Sequence, residues 1–301
     1  MPVGLIYVPF SSGCDTGIGH ATALELNWHG FRVIAACLRA DGEGAKELKE
    51  RCRHPERLHV LGLDVTTGDE ELRAFREKVK EILSENSATL WAAVNNAGIL
   101  SMGLADWGAN QAMVDDVINV NLIGTIRITR EFLPLIKQSK GRIVNMSSIM
   151  GKIAVPWAPT YSTTKSALLF FSNVLRMTVC PWGVKVISVL PYKYRSSMST
   201  GDFAMKALDK SWNDTSEEVK EVYGERYHQT LRRFMSSVDQ GSADPEEVAR
   251  AINLCLVSQD PPNEIICSPW YFKLVLFLYS ICPQELIDLA AEMLDSRIYR
   301  T

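Results

Sequence analysis

Tyr161 and Lys165 stand four residues apart, so on a helix their side chains share one face. A phenol with an ordinary pKa of about 10 exchanges protons poorly at neutral pH, and a fixed ammonium beside it favours the phenolate. The pair therefore reads as a general acid or base with its electrostatic partner, although Tyr and Lys at this spacing are more often plain surface neighbours. Ser148 precedes them by thirteen positions. It follows the apolar run Gly141 to Ser147, where a hydroxyl at a strand end can bond a substrate oxygen. Asn121, within a helical pattern, has poor helix propensity and needs a reason: a local backbone bond, or a water held for proton relay.

A second group points to a phosphate ligand. Gly13, Gly17 and Gly19, in Gly13-Cys14-Asp15-Thr16-Gly17-Ile18-Gly19, fall between a first strand and a helix, where backbone amides can hold a pyrophosphate. A glycine turn alone is weak, since a tight strand-to-helix connection looks the same. Dinucleotide sites usually carry an acid at the end of the second strand. Here that place reads Ala36-Cys37-Leu38-Arg39. These residues leave NAD and NADP both open, with Arg39 suiting either a phosphate or plain solvent.

The elements that must position these groups alternate along the chain. Phe31 to Cys37, Leu58 to Asp64, Leu90 to Asn95, Gly141 to Ser147, Val184 to Leu190 and Glu264 to Cys267 read as strands with helices between them. That predicts an α/β fold, a doubly wound parallel sheet of Rossmann type with helices on both faces. Ala21, Leu24 and Trp28 predict the buried stripe of the first helix, stopped at Gly30, and Leu72, Phe75, Val79, Ile82 and Leu83 that of a later one. The apolar run Ala167 to Phe171 with Val174 and Leu175, like the seven tryptophans, predicts core, and so apolar a helix also suits a homodimer contact. No linker divides the chain, so residues 1–301 are expected to form one domain, with a polar insertion over 197–245 as a lid and a helical tail over 269–301.

Composition narrows the classes. The 301 residues are 47% hydrophobic, enough for a large core, and the formal charge of -3 offers no field for nucleic acid. Seven scattered cysteines read as reduced thiols. His20, His29, His54, His59 and His228 lack ligand spacing, so no metal is expected. Trp270 to Cys282 is too short to span a bilayer; it reads equally as a wall of the substrate pocket or as a segment resting on a membrane. No targeting leader is visible, so a cytoplasmic or a peripherally membrane-associated location, endoplasmic reticulum or mitochondrial, is expected.

Taken together, the glycine turn, Asp64-Val65, Asn95-Asn96-Ala97-Gly98, Asn121, Ser148 and Tyr161-Ser162-Thr163-Thr164-Lys165 resemble, in order and spacing, the short-chain dehydrogenase/reductase family over residues 12 to 191. Ser12 to Gly19, Ala35 to Leu38 and Leu133 to Ile136 resemble its branch of retinol, 17-beta-hydroxysteroid and D-beta-hydroxybutyrate dehydrogenases, and the stretch Ser211 to Glu225 and the tail Ser268 to Leu294 are similar to the retinol and steroid members. The resemblance implies hydride transfer between NAD(H), with NADP(H) not excluded, and a hydrophobic secondary or allylic alcohol or ketone. In that reading Tyr161 exchanges the proton, Lys165 holds the nicotinamide ribose and lowers the tyrosine pKa, Ser148 positions the oxygen, and Asn121 anchors the relay. Ser12, Gly13, Asp15, Gly17, Ile18, Gly19, Cys37, Asp64, Val65, Asn95, Ala97, Gly98, Tyr161, Lys165 and Pro191 match the cofactor positions.

Three places depart from that pattern. Pro9 falls inside the first strand, so the first ten residues do not read as native to the fold, and a shortened or alternative start is expected. Tyr192 follows Pro191 where the family carries glycine, and Ser12 replaces a threonine. These departures favour weakened cofactor binding and keep a catalytically impaired binding protein in view. A small hydroxy acid as substrate is the nearer rival, and it requires a cation in the pocket, with Lys206, Lys210 and Arg232 on hand.

Overall fold

In the computed structural model, which describes residues 6–108, 111–195, 201–238 and 243–300, alternation along β2 (Val33–Cys37) sorts the core into two layers. Val33, Ala35 and Cys37 enter one apolar cluster, while Ile34 and Ala36 enter the other. The remaining strands are β1 (Ile6–Ser12), β3 (Leu58–Gly62), β4 (Ala88–Asn95), β5 (Arg142–Met146), β6 (Lys185–Pro191) and β7 (Glu264–Cys267). They pair in parallel in the order β3-β2-β1-β4-β5-β6-β7. Order reverses between β1 and β4, which opens a crevice at their carboxyl ends.

Helices α1 (Gly17–Trp28), α2 (Glu43–Arg51) and α9 (Pro245–Val257) cover one face. On the other lie α3 (Asp69–Glu85), α5 (Thr125–Ser139) and α6 (Pro159–Val179). The short α4 (Gln111–Ile118) leads into α5 through a π-helical turn, Asn119–Gly124. Between β6 and α9 stand α7 (Gly201–Asn213) and α8 (Glu217–Val238), and α10 (Trp270–Ile281) and α11 (Gln284–Arg300) close the chain. The polar interval read as a lid is thus mainly α7 and α8; its residues 197–200 and 239–242 lie outside the described residues, as do residues 1–5 and Thr301. Trp107, Trp212, Tyr227, Leu231 and Met235 form its own apolar cluster, with Trp212 stacked on His228 at 5.1 Å.

Several expectations need correction. Residues 6 to 12 do form the first strand, with Val8 and Phe10 fully buried. Pro9 sits where the β1–β4 register shifts, between Val8 and Pro9, and the β1–β2 pairing begins only at Phe10, so the missing N–H falls on an irregularity. In α1 Ala23 and Leu26 are buried in the cluster shared with α9, Asn27 is buried and bonds the His54 backbone, and Trp28 is 58% exposed. Nor is the α6 stripe all core. Leu168 and Leu175 are buried, but Phe170 is 71% exposed and Val174 also faces outward. Trp28, Trp182 and Trp270 are exposed as well.

Phe132 of α5 anchors the second layer, stacked on Phe10 at 5.1 Å and edge-on to Phe75 at 6.1 Å, with no exposed surface. Phe132→Ala is expected to cost about 3–5 kcal/mol in urea unfolding, the cost of a large buried cavity; a loss under 1 kcal/mol would show that this layer repacks.

Candidate active site

The glycine turn is closed by β4. Asn96 donates through Nδ2 to the carbonyls of Ser12 and Gly13, each at 3.0 Å, and the Ser12 hydroxyl accepts from the Asn96 and Ala97 amides at 3.1 Å. Gly13 has φ +66°, and a Cβ there would come within 2.8 Å of the Ala97 backbone; at Gly19 a Cβ would meet the Gly13 carbonyl at 2.2 Å. Only glycine fits this crossing. Beyond it α1 begins with no side chain capping its N-terminus and no acid in its first turn, so its amide end faces the crevice without a competing anion. A nicotinamide dinucleotide fits this cradle: its pyrophosphate would lie on the first turn of α1.

The adenosine end shows a feature that motif reading missed. The Asp15 carboxylate accepts from the amides of Leu38 at 2.8 Å and Arg39 at 3.2 Å, just past β2. An acid of the glycine turn thus lies beside the residues that follow β2. Asp64 lies exposed at the end of β3, its Oδ1 accepting from the Thr66 amide and hydroxyl.

Three sequence candidates are buried rather than presented to the crevice by their side chains. Cys37 and Val65 belong to the two core layers, and burial pushes the Cys37 thiol up to about 12, which keeps it neutral. Asn95 donates to Thr129 at 2.9 Å and to Asn145 at 2.8 Å inside the fold.

The catalytic candidates do converge. In the π-helical turn, Asn121 is fully buried and brackets Ile99, donating to its carbonyl at 2.9 Å and accepting from its amide at 2.8 Å. It also donates to Thr164, whose hydroxyl donates to the Tyr161 carbonyl. A Cβ on Gly98 would lie 3.3 Å from Asn121 Oδ1 and 3.4 Å from Lys165 Nζ, which places the three in one packed junction. Ser147, which the motifs passed over, donates to the Lys165 carbonyl at 2.8 Å and fixes α6 against the end of β5. Ser148 caps the following turn by accepting from the Met150 amide, and it hydrogen-bonds the Tyr161 hydroxyl.

Lys165 is buried, with Nζ donating to the Met146 carbonyl at 2.8 Å and lying 5.6 Å from the Tyr161 ring centre. Burial holds its pKa down at about 8 and pushes the Tyr161 phenol up to about 12, against which only the Ser148 bond acts. The expectation that Lys165 lowers the tyrosine pKa is not met: the phenol is raised by burial, and Lys165 is not among the groups acting on it. Desolvation of both groups outweighs an ammonium that is turned toward a backbone carbonyl.

Ser148, Tyr161 and Lys165 open on a cavity of about 240 Å³. Gly98, Ile18, Asn96 and Pro191 line it, as do the apolar Leu100, Met102, Met150, Trp157, Met205 and Met235. Tyr192 also lines it and packs on Phe272 of α10 at 4.4 Å. Among the described residues only Ser87 and Lys140 are non-glycine residues with positive φ, so Tyr192 occupies the family's glycine position without backbone strain. Lys193 lines the cavity, whereas Lys206, Lys210 and Arg232 do not; Lys210 pairs with Asp214 and Arg232 with Asp209. The methionine wall carried no motif and only the folded lid assembles it.

Residues 10–207 match the family model of short chain dehydrogenases. Human 17-beta-hydroxysteroid dehydrogenase type 6 is 37% identical over 93% of this chain and 86% of its own. Mouse retinol dehydrogenase 7 is 33% identical over 93% and 85%. Bovine mitochondrial D-beta-hydroxybutyrate dehydrogenase is 34% identical over 92% and 81%. Among solved structures, a short-chain dehydrogenase from Streptomyces avermitilis superposes with TM-score 0.70 at 24% identity, covering 98% of this chain and 97% of that one. One from Burkholderia phymatum, in complex with NAD, has TM-score 0.73 at 19% identity, covering 96% and 97%.

A buried lysine held at about 8 makes stability pH-dependent. Between about pH 8 and 10.5 the unfolded chain keeps a proton that the folded one has released, so wild-type stability rises with pH across that window. Below pH 8 the full cost, on the order of 3 kcal/mol, is present. Lys165→Met is therefore expected to stabilise the protein at pH 7 by about 1–3 kcal/mol in urea unfolding, with the gain shrinking toward pH 10.5. A destabilised variant with no pH dependence would contradict this.

Proposed function

The chain belongs to the short-chain dehydrogenase family, an oxidoreductase acting on CH–OH groups, and we propose that its substrate is a hydrophobic secondary or allylic alcohol, or the matching ketone, of hydroxysteroid or retinoid class. The observation that carries this reading is the apolar lining of the catalytic cavity, where Leu100, Trp157 and the methionines Met102, Met150, Met205 and Met235 share the space with Ser148 and Tyr161. Methionine side chains adapt to a rigid apolar skeleton at little cost. The relatives named for 17-beta-hydroxysteroids and retinol support the same class. A small hydroxy acid is the second reading, favoured by Lys193 on the cavity wall and by the hydroxybutyrate dehydrogenase relative.

In this reading a bound nicotinamide dinucleotide supplies the hydride acceptor or donor. Ser148 holds the substrate oxygen, and Tyr161 exchanges its proton with that oxygen. Burial pushes its phenol up to about 12, so Tyr161 is protonated at neutral pH and can give a proton to a ketone. Alcohol oxidation needs the phenolate, which a charged Lys165 on the same face of α6 would favour, and Lys165 would also hold the ribose of a bound nicotinamide dinucleotide. Asn121, bracketing Ile99, keeps Gly98 and Lys165 in register as the positioning residue.

For the cofactor we infer NAD(H). The Asp15 carboxylate occupies both amides past β2 that a 2'-phosphate would otherwise use and adds a like charge there. As to organisation, residues 1–301 act as one domain, with 197–245 as its lid and 269–301 as its helical tail. Phe170, Val174 and Met177 form an outward stripe on α6, suited to a homodimer. Among the described residues no helix is long and apolar enough to cross a membrane. Trp270, Tyr271, Leu274 and Phe277 are exposed on α10, a face suited to peripheral membrane contact.

With NAD and a panel of hydroxysteroids, retinol and 3-hydroxybutyrate, Tyr161→Phe is expected to lower kcat about 10²- to 10⁴-fold, and turnover of 3-hydroxybutyrate alone would select the second reading. Asp15→Ala is expected to raise the ratio of kcat/KM with NADP to that with NAD at least tenfold. An unchanged ratio would remove Asp15 from cofactor selection.

A further inference from the structure

Trp157 has a cavity on each side. One is the catalytic cavity; the other, of about 460 Å³, lies between α8, α10, α11 and the segment before α6. We propose that this second cavity binds the distal apolar chain of the substrate, so that one elongated lipid alcohol reaches from Tyr161 past Trp157 to the C-terminal helices. The proposal rests on the alcohol-dehydrogenase reading and narrows its substrate to molecules with a long apolar extension.

Volume and chemistry both support it. At about 240 Å³ the catalytic cavity falls below the roughly 300–1,000 Å³ of sites that enclose drug-sized ligands. The second cavity is lined by no charged side chain among the described residues. Tyr279 has its hydroxyl occupied by the Ala154 amide at 3.1 Å, and Tyr227 lies in the aromatic cluster with Trp107 and Tyr223. Such a space holds water poorly and favours hydrocarbon. Trp157 itself is held in place, its carbonyl accepting from the Gly103 amide at 2.9 Å and its ring edge-on to Phe234 at 5.4 Å. It is the residue that lines both cavities, and the proposal places the chain alongside it. On the far side, Val275, Leu278 and Leu286 line the cavity and are also exposed, which places its mouth on the apolar outer face of α10 and α11. A substrate dissolved in a bilayer would meet that mouth first.

The test measures kcat/KM for the full chain with NAD on secondary alkanols from hexan-2-ol to hexadecan-2-ol, beside Ala290→Trp, which fills the second cavity from the exposed side of α11. In the wild type, kcat/KM is expected to rise by up to about fourfold per added methylene once the chain enters the cavity. In Ala290→Trp the long-to-short ratio is expected to fall at least tenfold. A ratio that ignores length, or that Ala290→Trp leaves unchanged, overturns the proposal.

Binding is read separately, by quenching of Trp157 fluorescence with 16-bromohexadecan-2-ol, using Trp157→Phe as the blank. Quenching without turnover of any alkanol would retain the cavity assignment and reject these alkanols as reactants, and no quenching would reject the assignment. Quenching by vesicles of chain-brominated phosphatidylcholine but not by the bromoalkanol would assign the cavity to membrane lipid and overturn the substrate role.

Discussion

Burying the Lys165 ammonium at the carboxyl end of the sheet is the constraint to which the rest of the site answers. A charge there costs several kcal/mol unless the fold repays it. A bond to the Met146 carbonyl offsets only part of it, while the Ser147 hydroxyl on the lysine's own carbonyl fixes the backbone and a glycine at position 98 makes room for Nζ. The π-helical turn at Asn119–Gly124 belongs to the same arrangement. Its wider winding carries Asn121 inward to bracket Ile99, which fixes the strand end that bears Gly98.

The same burial sets the chemistry. An apolar cavity suits a greasy substrate and strengthens every electrostatic contact inside it, yet it also drives Lys165 toward neutrality and Tyr161 toward its protonated form. Burial thus favours a protonated Tyr161 and makes the charged lysine a cost to stability. Stability given up at one residue in exchange for reactivity is a common pattern at catalytic sites. Ligands that bring hydroxyl groups to Lys165 would shift both groups together.

Much of this was legible in the chain, because strand ends and glycine turns carry local signals. The parallel sheet, the convergence of Asn121, Ser148, Tyr161 and Lys165, and the glycine crossing all follow local patterns and motifs of fixed spacing, whereas the strand order comes from the fold itself. What could not be read depends on which neighbour a residue meets. Asp15 reaches across to Leu38 and Arg39, Pro9 falls on a register shift, and Phe170 faces outward although its helix reads as core. The burial cost at Tyr161 was also hidden, since a four-residue spacing shows proximity but not the dielectric around it. The methionine wall and the second cavity arise only when the lid and tail helices pack, and no spacing rule links them.

The most direct test of the Lys165 account is its own titration in the ligand-free protein, followed by ¹³C NMR with [ε-¹³C]lysine and assigned by comparison with Lys165→Met. A resonance titrating near pH 8 is what desolvation of this ammonium predicts. A midpoint above 10, in the range of exposed lysines, would mean that the site is hydrated and that burial does not govern its chemistry.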